Sequence, residues 1–339
     1  MQSQEISFSI VVPTYNSKKT IENCINKIKN SIDFFYNKNK NIKYELIVID
    51  DGSIDKTLSC IPNFDFIKKY SLKKNRGVGY IRNLGARLSR YTYIYYVDSD
   101  ILINDDTLWV LHHTLLLDNK FGTVGAIQKV VNHNNKDWGS DFVCLKTCYG
   151  FEKVEKKIEF TAIHSECCII SKNFLKTVGG WKYYSSAGGE EFELGHRIID
   201  QNKKVMLTNE TFYTTYYDGL KSRFFKVVDR TEKYVGIFLK RKKFEPKGAF
   251  ATLNQSFSTF ITLNIILLLI LSLKFSLVVF IAILLLYFIQ IIIELDFLFF
   301  SKKYFGLKII PLCLFGIQII NLAIILGTLK FILKKVFKF

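Results

Sequence analysis

Residues 91–102 read YTYIYYVDSDIL, and this stretch decides the fold. The run of aromatic and β-branched residues from 91 to 97 is typical of a buried strand, which ends abruptly in Asp98-Ser99-Asp100. On an extended chain Asp98 and Asp100 point to the same side. Two carboxylates at the end of an apolar strand are costly unless a cation meets them, so the pattern predicts a site for Mg²⁺ or Mn²⁺ shared with a phosphate. Acids that merely open a solvated loop are the alternative.

Two further apolar strands are predicted upstream, and each also ends in polar residues. Residues 8–12 (FSIVV) are followed by the turn PTYN, and residues 44–49 (YELIVI) run into Asp50 and Asp51. Apolar residues at helical spacing after the first strand complete a strand–turn–helix alternation, which is typical of an α/β sheet with parallel strands. Because ligands of such sheets bind beyond the carboxyl ends of the strands, we expect the three polar clusters to share one edge.

A glycine-containing segment lies between the second and third clusters. Residues 73–79 read KKNRGVG and precede a predicted helix that carries Arg82. Gly77 and Gly79 would allow backbone amides to approach a phosphate, and Arg76 or Arg82 would neutralise it. A glycine turn that simply precedes a helix is the alternative interpretation.

Charge and cysteine content limit the classes of partner and site. The chain has 339 residues, with 47 Lys+Arg against 30 Asp+Glu and a formal net charge of +17. This basic excess favours an anionic partner, such as nucleotide phosphates, nucleic acid or an anionic membrane surface. Seven cysteines without a CxxC pair argue against a zinc site or a disulfide framework and indicate reduced thiols. We expect no secretory signal before the first strand.

The composition changes near residue 250. Residues 219–250 interleave Lys and Arg with Phe and Val, which favours an amphipathic segment at a membrane interface over a nucleic-acid-binding segment. Three apolar stretches follow, near 257–273, 275–293 and 309–329, each close to the roughly 20 residues that span a hydrocarbon core. Three crossings would place the Lys-rich C-terminus away from the cytosol, against the usual charge preference. A re-entrant third stretch or a tail in the interface are the alternatives.

Four motifs, in order and at matching spacing, resemble those of family-2 glycosyltransferases of the GT-A fold. They are IVVPTYN (10–16), IVIDDGS (47–53), NRGVG followed by RNLG (75–85), and VDSD (97–100). The resemblance implies a GT-A domain over residues 1–218, an α/β fold with a mostly parallel sheet, followed by the interfacial segment 219–250 and a transmembrane region over 251–339.

The resemblance also implies roles for individual residues. Asp98 and Asp100 would hold Mn²⁺ or Mg²⁺ on the donor diphosphate. Asp51, with Asp50 beside it, would meet the base or ribose. The residues expected to bind the nucleotide sugar are Pro13, Tyr15, Asn16, Asp50, Asp51, Arg82 and Asp98.

A second acidic cluster lies at residues 188–197, GGEEFELGHR, after a GGW turn. It resembles the family's acidic pair at the start of a helix, and Glu191 falls where the family carries its general base, more often Asp than Glu. Such a base takes a proton from the attacking acceptor hydroxyl. Glu190 is the alternative base, and acids that only favour a helix N-terminus are a further alternative. Residues 132–159 are charged and irregular, and we expect them on the acceptor side.

These features predict an integral membrane protein with a cytoplasmic catalytic domain that acts as an inverting, metal-assisted glycosyltransferase. We expect a nucleoside-diphosphate sugar as donor and a lipid-linked or membrane-proximal glycan acceptor, such as a cell-envelope polysaccharide, with no nucleic acid as partner. Processive synthases of the family usually carry a Gln/Arg-x-x-Arg-Trp motif after the second acidic cluster, and this chain has none, so a single transfer is expected. A non-catalytic nucleotide-sugar-binding membrane scaffold in glycan assembly is the alternative.

Overall fold

A computed structural model describes residues 5–130, 137–151, 156–184, 188–217, 219–242, 244, 252–271 and 277–337. The chain forms two compact units. The first contains Met1–Lys129 and Lys153–Tyr216, and the second contains Val130–Glu152 and Tyr217–Phe339. Parts of three predicted regions lie outside the described residues: 132–136 and 152–155 of the segment expected to be irregular, 243 and 245–250 of the interfacial segment, and 251, 272–276 and 338–339 of the transmembrane region.

The first unit is an α/β domain built on one mixed sheet. Its strands are β1 (Ile6–Thr14), β2 (Ile42–Asp50), β3 (Ile67–Ser71), β4 (Tyr93–Val97), β5 (Ile101–Ile103), β6 (Phe121–Gln128), β7 (Lys157–Phe160), β8 (Cys167–Ser171) and β9 (Lys204–Thr215). The spatial order is β3-β2-β1-β4-β8-β6-β9-β5, with β7 paired to β9. Strands β3, β2, β1 and β4 are mutually parallel, which confirms the predicted α/β class. Strands β5, β7 and β8 pair antiparallel with their neighbours.

Ten helices complete the described part of the chain. They are α1 (Ile21–Lys38), α2 (Val78–Leu88), α3 (Thr107–Leu116), α4 (Trp138–Cys148), α5 (Lys172–Thr177), α6 (Glu190–Asp200), α7 (Leu220–Arg241), α8 (Leu253–Leu271), α9 (Leu277–Phe305) and α10 (Ile309–Phe337). Helices α1, α2, α3, α5 and α6 belong to the first unit, and the other five belong to the second.

Apolar residues cover both faces of the parallel strands. Side chains alternate along a strand, so Val48 of β2 faces the core that contains α1, whereas Ile47 and Ile49 face Ile81 of α2 on the other side. Strands of this kind have no solvent-exposed face for polar side chains. The polar side chains at the carboxyl ends of these strands therefore lie in the turns that follow them.

The prediction that residues 132–159 are irregular is wrong for their central part. Residues 138–148 form α4, which begins after the N-cap Asp137, whose carboxylate accepts hydrogen bonds from the amides of Gly139 and Ser140 at 3.0 and 3.3 Å. The apolar residues of α4, such as Phe142, are buried in the core of the second unit. Charged residues on both sides of this short segment obscured its helical spacing.

Three helices of the second unit have the length and apolar composition needed to cross a membrane. They are Leu253–Ile270, Leu277–Phe305 and Ile309–Phe337, which confirms the prediction of three apolar helices. A polar network connects them. Gln290 Nε2 donates hydrogen bonds to Ser258 Oγ at 3.1 Å and to Thr262 Oγ1 at 2.9 Å, and Gln318 Nε2 donates to Gln290 Oε1 at 2.8 Å. Because apolar surfaces gain little from association in lipid, such hydrogen bonds hold membrane helices together.

Candidate active site

The polar turns that follow β1, β2 and β4 are hydrogen-bonded to one another. The Asn16 amide donates to Ser53 Oγ at 2.8 Å, and Asn16 Oδ1 accepts from the Ile54 amide at 3.0 Å. Ser17 Oγ lies 2.8 Å from Ser99 Oγ of the DSD motif. Asn16 has a φ of 51°, a left-handed conformation that asparagine tolerates better than most residues. The three turns therefore meet at one edge of the sheet.

Asp51 organises the glycine-containing segment. Its carboxylate is buried and accepts hydrogen bonds from the amides of Arg76 at 2.7 Å and Gly77 at 2.9 Å. Burial raises the pKa of Asp51, and the two amide bonds partly offset this rise. The Gly77 amide, one of the amides expected to approach a phosphate, is thus bound to Asp51 in this structure. Helix α2 begins directly afterwards at Val78, as both interpretations of this segment predict.

Among the predicted nucleotide-binding residues near β1 and β2, Pro13 and Asp50 are buried and Tyr15 is exposed. Pro13 is buried at the end of β1, whereas the Tyr15 side chain is 48% exposed. Asp50 is buried and accepts hydrogen bonds from the Ser53 amide at 3.2 Å and from Ser71 Oγ at 3.2 Å. Asp50 thus holds the turn after β2 in shape, while Tyr15 is available to a ligand.

Arg82 is the charged centre of this region. Its side chain is 2% exposed, and Nη2 donates to Asp98 Oδ1 at 2.9 Å while Nη1 lies 4.0 Å from Glu190 Oε1. The guanidinium carbon lies 4.9 Å from the ring centroid of Trp181. Burial alone would lower the pKa of Arg82, but the nearby acids hold it above its usual range. A cation buried this deeply needs such partners, because desolvation without them is costly.

The charges of Asp98 and Asp100 both affect the pKa of the buried Cys24 thiol. Burial raises the pKa of Cys24, and the charges of Asp100 and Asp98 raise it further. The Asp98 side chain is 23% exposed, and Asp100 is exposed. Burial also raises the pKa of Asp98, against the opposing effect of Arg82. The two carboxylates therefore lie close together at the end of β4 and remain accessible to a ligand.

The carboxylates at the end of β4 can serve as ligands for a divalent cation only if other ligands complete its coordination shell. Among the described residues, no group of three or more His, Cys, Asp and Glu side chains is arranged to hold a metal. A cation that is shared with a diphosphate needs only one or two protein carboxylates, because phosphate oxygens and water complete its shell. Asp98 and Asp100 supply two such carboxylates at an accessible strand end, so the residues fit a shared cation and do not fit an all-protein metal site.

The second acidic cluster opens α6. Glu190 is 2% exposed, and its Oε2 accepts a hydrogen bond from the Gly188 amide at 2.6 Å. Burial and the neighbouring charge of Glu191 raise the pKa of Glu190 to about 7, against the opposing effect of Arg82. Glu191 is half-buried, and Ser165 Oγ donates to its Oε1 at 3.4 Å. The two adjacent glutamates thus have different environments.

Sequence reasoning missed the residues that connect the two acidic clusters. Asn83 Nδ2 donates to the Trp181 carbonyl at 2.7 Å, and the Trp181 amide donates to Asn83 Oδ1 at 2.9 Å. Arg197 Nη2 of α6 donates to the Gly180 carbonyl at 2.6 Å and to Glu193 Oε2 at 2.6 Å. The RNLG and GGW motifs were both visible, but a single sequence contains no signal that pairs residues almost one hundred positions apart.

A sequence model of the family described as "Glycosyl transferase family 2" matches residues 9–179. The chain belongs to this family. The matched region of this family-2 glycosyltransferase contains the three polar turns, Arg82 and Gly179, the first residue of the GGW turn, which confirms the resemblance to this family.

Individual relatives match shorter parts of this family-2 glycosyltransferase. The poly(ribitol-phosphate) beta-N-acetylglucosaminyltransferase TarP of Staphylococcus aureus is 31% identical over 132 residues, which is 36% of this chain and 38% of TarP. The poly-beta-1,6-N-acetyl-D-glucosamine synthase of Staphylococcus epidermidis is 25% identical over 191 residues, which is 53% of this chain and 42% of the synthase. The matches therefore cover less than half of the length of these relatives.

A solved structure resembles almost the whole chain. The mannosyltransferase PcManGT of Pyrobaculum calidifontis, solved with GDP-Man and Mn²⁺, has a TM-score of 0.58 at 15% identity, and the match covers 98% of this chain and 88% of PcManGT. At this identity the likeness establishes the fold, which is a GT-A-like α/β domain followed by apolar helices.

Proposed function

We propose that the protein transfers a single sugar from a nucleoside-diphosphate sugar to a lipid-linked or membrane-proximal glycan acceptor, with inversion at the anomeric carbon. The buried Arg82 is the observation that carries this proposal. It connects Asp98 of the strand-end motif with Glu190 of the second acidic cluster. One cation thus brings donor-side acids and candidate base residues to one place, which a transfer between two bound substrates requires.

The donor is assigned to the turns after β1, β2 and β4. Tyr15 is exposed enough to pack on a nucleotide, and Asp51 retains lone pairs beyond its two amide bonds for a ribose hydroxyl. Asp98 and Asp100 are proposed to hold Mn²⁺ or Mg²⁺ together with the diphosphate. When bound, such a cation offsets the negative charge that develops on the departing nucleoside diphosphate. The Mn²⁺ and GDP-Man in the PcManGT structure support this assignment.

Glu191 is proposed as the general base. A base must contact the acceptor hydroxyl, and Glu191 is half-buried whereas Glu190 is 2% exposed. Ser165 contacts one oxygen of Glu191 and limits its orientations. Glu190 remains the runner-up, because a pKa of about 7 suits a base and its Oε1 has no hydrogen-bond partner among the residues that the structure describes. Glu190 is otherwise assigned the role of holding Arg82 beside the base.

The acceptor is proposed to be presented at a membrane. Three helices have the length and composition of membrane spans, and the catalytic unit is assigned to the cytoplasmic side, where nucleotide sugars are available. The names of TarP and the poly-N-acetylglucosamine synthase refer to poly(ribitol-phosphate) and to poly-beta-1,6-N-acetyl-D-glucosamine, which supports a polymer or its lipid carrier as the acceptor class.

The proposal is tested by nucleoside diphosphate release from purified full-length protein in detergent. A panel of nucleotide sugars is supplied with Mn²⁺, with and without a membrane lipid extract. The variants are Asp100→Asn and Glu191→Gln, with Asp105→Asn as the matched control, since Asp105 is exposed and pairs only weakly with Lys27 at 3.6 Å. We expect lipid-stimulated release from the wild type and the control, and at least a hundredfold loss in the other two variants.

The same experiment distinguishes the alternative of a non-catalytic scaffold. Tight, Mn²⁺-dependent binding of a nucleotide sugar without turnover under any acceptor condition, and unchanged by Glu191→Gln, would support a binding protein. Loss of activity in Glu190→Gln with full activity in Glu191→Gln would move the role of base to Glu190.

A further inference from the structure

The C-terminal half of α10 packs along α7. Lys330 Nζ lies 2.8 Å from Asp229 Oδ1 and 2.8 Å from Glu232 Oε2, and Lys334 Nζ lies 2.5 Å from Glu232 Oε1. The helices also approach closely at Gly327, where a Cβ atom would come within 2.6 Å of the Val228 carbonyl oxygen. The two helices therefore form one pair over about two turns of α10.

Helix α7 cannot lie inside the hydrocarbon core. Its 22 residues include seven Lys or Arg and two acids, and none of its residues is buried. These charged side chains cover more than half of the circumference of α7, and lipid would have to solvate them. Helix α7 must therefore remain on one side of the bilayer, at the level of the headgroups.

The ion pairs place residues 327–334 of α10 at this same level. The Lys330 and Lys334 side chains are 42% and 52% exposed, and Asp229 is 47% exposed. Half-exposed ion pairs need water or headgroups around them, because an apolar medium cannot satisfy their remaining hydrogen-bonding groups. The second half of α10 thus lies on the side of the bilayer that holds α7.

The first half of α10 lies on this side as well. Phe142 of α4 fills the space beside Gly316, where a Cβ atom would come within 2.8 Å of its ring. Helix α4 in turn contacts α7, since Arg223 Nη2 donates to Thr147 Oγ1 at 3.3 Å. It also contacts the charged end of α9, since Lys146 Nζ lies 3.1 Å from Glu294 Oε2. Both halves of α10 therefore pack against helices that carry charge.

We propose that α10 does not cross the membrane and that α7 and α10 form a two-helix surface seated on an anionic phospholipid leaflet. Within the described residues, the α8–α9 hairpin is then the crossing element. The exposed basic residues of this surface match anionic headgroups in charge, and the exposed apolar residues match the upper acyl region. These residues are Lys221, Lys226, Lys240, Arg241, Lys334 and Lys335, and Phe225, Leu239, Leu333, Val336 and Phe337, respectively.

This arrangement also decides between the alternatives for the C-terminal lysines. With α10 in the interface, Lys302 before α10 and Lys335 near its end lie on the same side as α7. The Lys-rich C-terminus then agrees with the preference for positive charge on the cytosolic side, which three crossings would violate.

The test is a depth measurement on the full-length protein in nanodiscs that contain anionic phospholipid. In a background from which the seven native cysteines are removed, a fluorophore is attached to Leu322→Cys, Leu329→Cys or Val336→Cys, which are seven residues apart and lie on one face of α10. Quenching by lipids that are spin-labelled at different acyl positions reports the depth of each site. We expect three similar, shallow depths. A crossing helix would give depths that differ by about 21 Å from first to last, at about 1.5 Å per residue, and that result would overturn the proposal.

Two controls complete the experiment. The same measurement at Leu277→Cys and Leu284→Cys of α9 should give a clear gradient, because α9 is assigned as a crossing helix. Replacing the anionic lipid by a zwitterionic one should make the α10 sites less accessible to lipid quenchers while the α9 sites stay unchanged. If both helices respond equally to lipid charge, the anionic leaflet is not the partner of this surface.

Discussion

Replacing Glu190 by glutamine should stabilise the protein, and the gain should depend on pH. Glu190 is 2% exposed beside a second carboxylate, and its pKa is raised from 4.5 to about 7. The folded state therefore retains a proton that the unfolded state loses between these two values. Wild-type stability must fall as the pH rises through this window, since the unfolded state binds fewer protons there.

The size of the effect follows from the change in pKa. A rise from 4.5 to about 7 corresponds to roughly 3 kcal/mol once the pH exceeds both values. Glu190→Gln is uncharged at every pH and keeps an oxygen that can accept the Gly188 hydrogen bond. The variant should thus match the wild type near pH 4 and exceed its free energy of unfolding by up to roughly 3 kcal/mol at pH 8.

Denaturant unfolding in detergent, followed by tryptophan fluorescence at several pH values, measures this difference. Glu193→Gln, on the same helix, is the control, because the pKa of Glu193 is lowered whereas that of Glu190 is raised. Burial would raise the pKa of Glu193, but hydrogen bonds from Arg197 and Lys182 lower it. This carboxylate therefore stabilises the fold at neutral pH, and its replacement should cost stability that diminishes as the pH falls. A gain in Glu190→Gln that is equal at pH 4 and pH 8, or a loss at pH 8, would refute the reasoning.

Three further variants test contacts around the site by the same unfolding assay. Arg82→Met removes the buried cation between two acids and should cost about 3–5 kcal/mol, whereas a loss below 1 kcal/mol would show that the acids are solvated. Asn83→Ala breaks both hydrogen bonds to the Trp181 backbone and should cost about 1–3 kcal/mol with a red shift of the folded-state fluorescence. Gly85→Ala places a methyl group against Val11 and should cost about 1–3 kcal/mol, which Val11→Ala should partly restore if the contact is the cause.

Local sequence patterns were sufficient to predict the parallel half of the sheet. Short continuous apolar runs such as 46–49 are typical of strands that are covered on both faces, and polar residues directly after them were therefore expected at the strand ends. The meeting of the three turns at one edge follows from parallel pairing alone. The antiparallel half was less accessible, because β5 has three residues and β7 has four, too few for a reliable periodicity.

The environment of each site residue could not be predicted from the sequence. Glu190 and Glu191 are adjacent and chemically identical, yet one is buried against Arg82 and the other is half-exposed. That difference depends on the direction of α6, which Asn83 and Arg197 fix through the Trp181 turn. The hydrogen bond from the Gly77 amide to Asp51 was likewise not predictable, because Asp51 lies 26 residues earlier.

The membrane region illustrates the same limit. Hydropathy identified three apolar helices correctly, because length and composition are local properties. The ion pairs between α7 and α10 join residues about one hundred positions apart, and only the folded chain reveals them.

Helix α4 connects an internal segment of the chain with the C-terminal helices. It is encoded between β6 and β7, but its apolar side chains pack against α9 and α10. A chain cut after Tyr216 would keep α4 but lose the helices that cover its apolar side chains. Such a truncation would leave these side chains exposed to solvent. The internal segment that contains α4 and the C-terminal helices form one packed unit, so we expect related chains to keep or lose the two together.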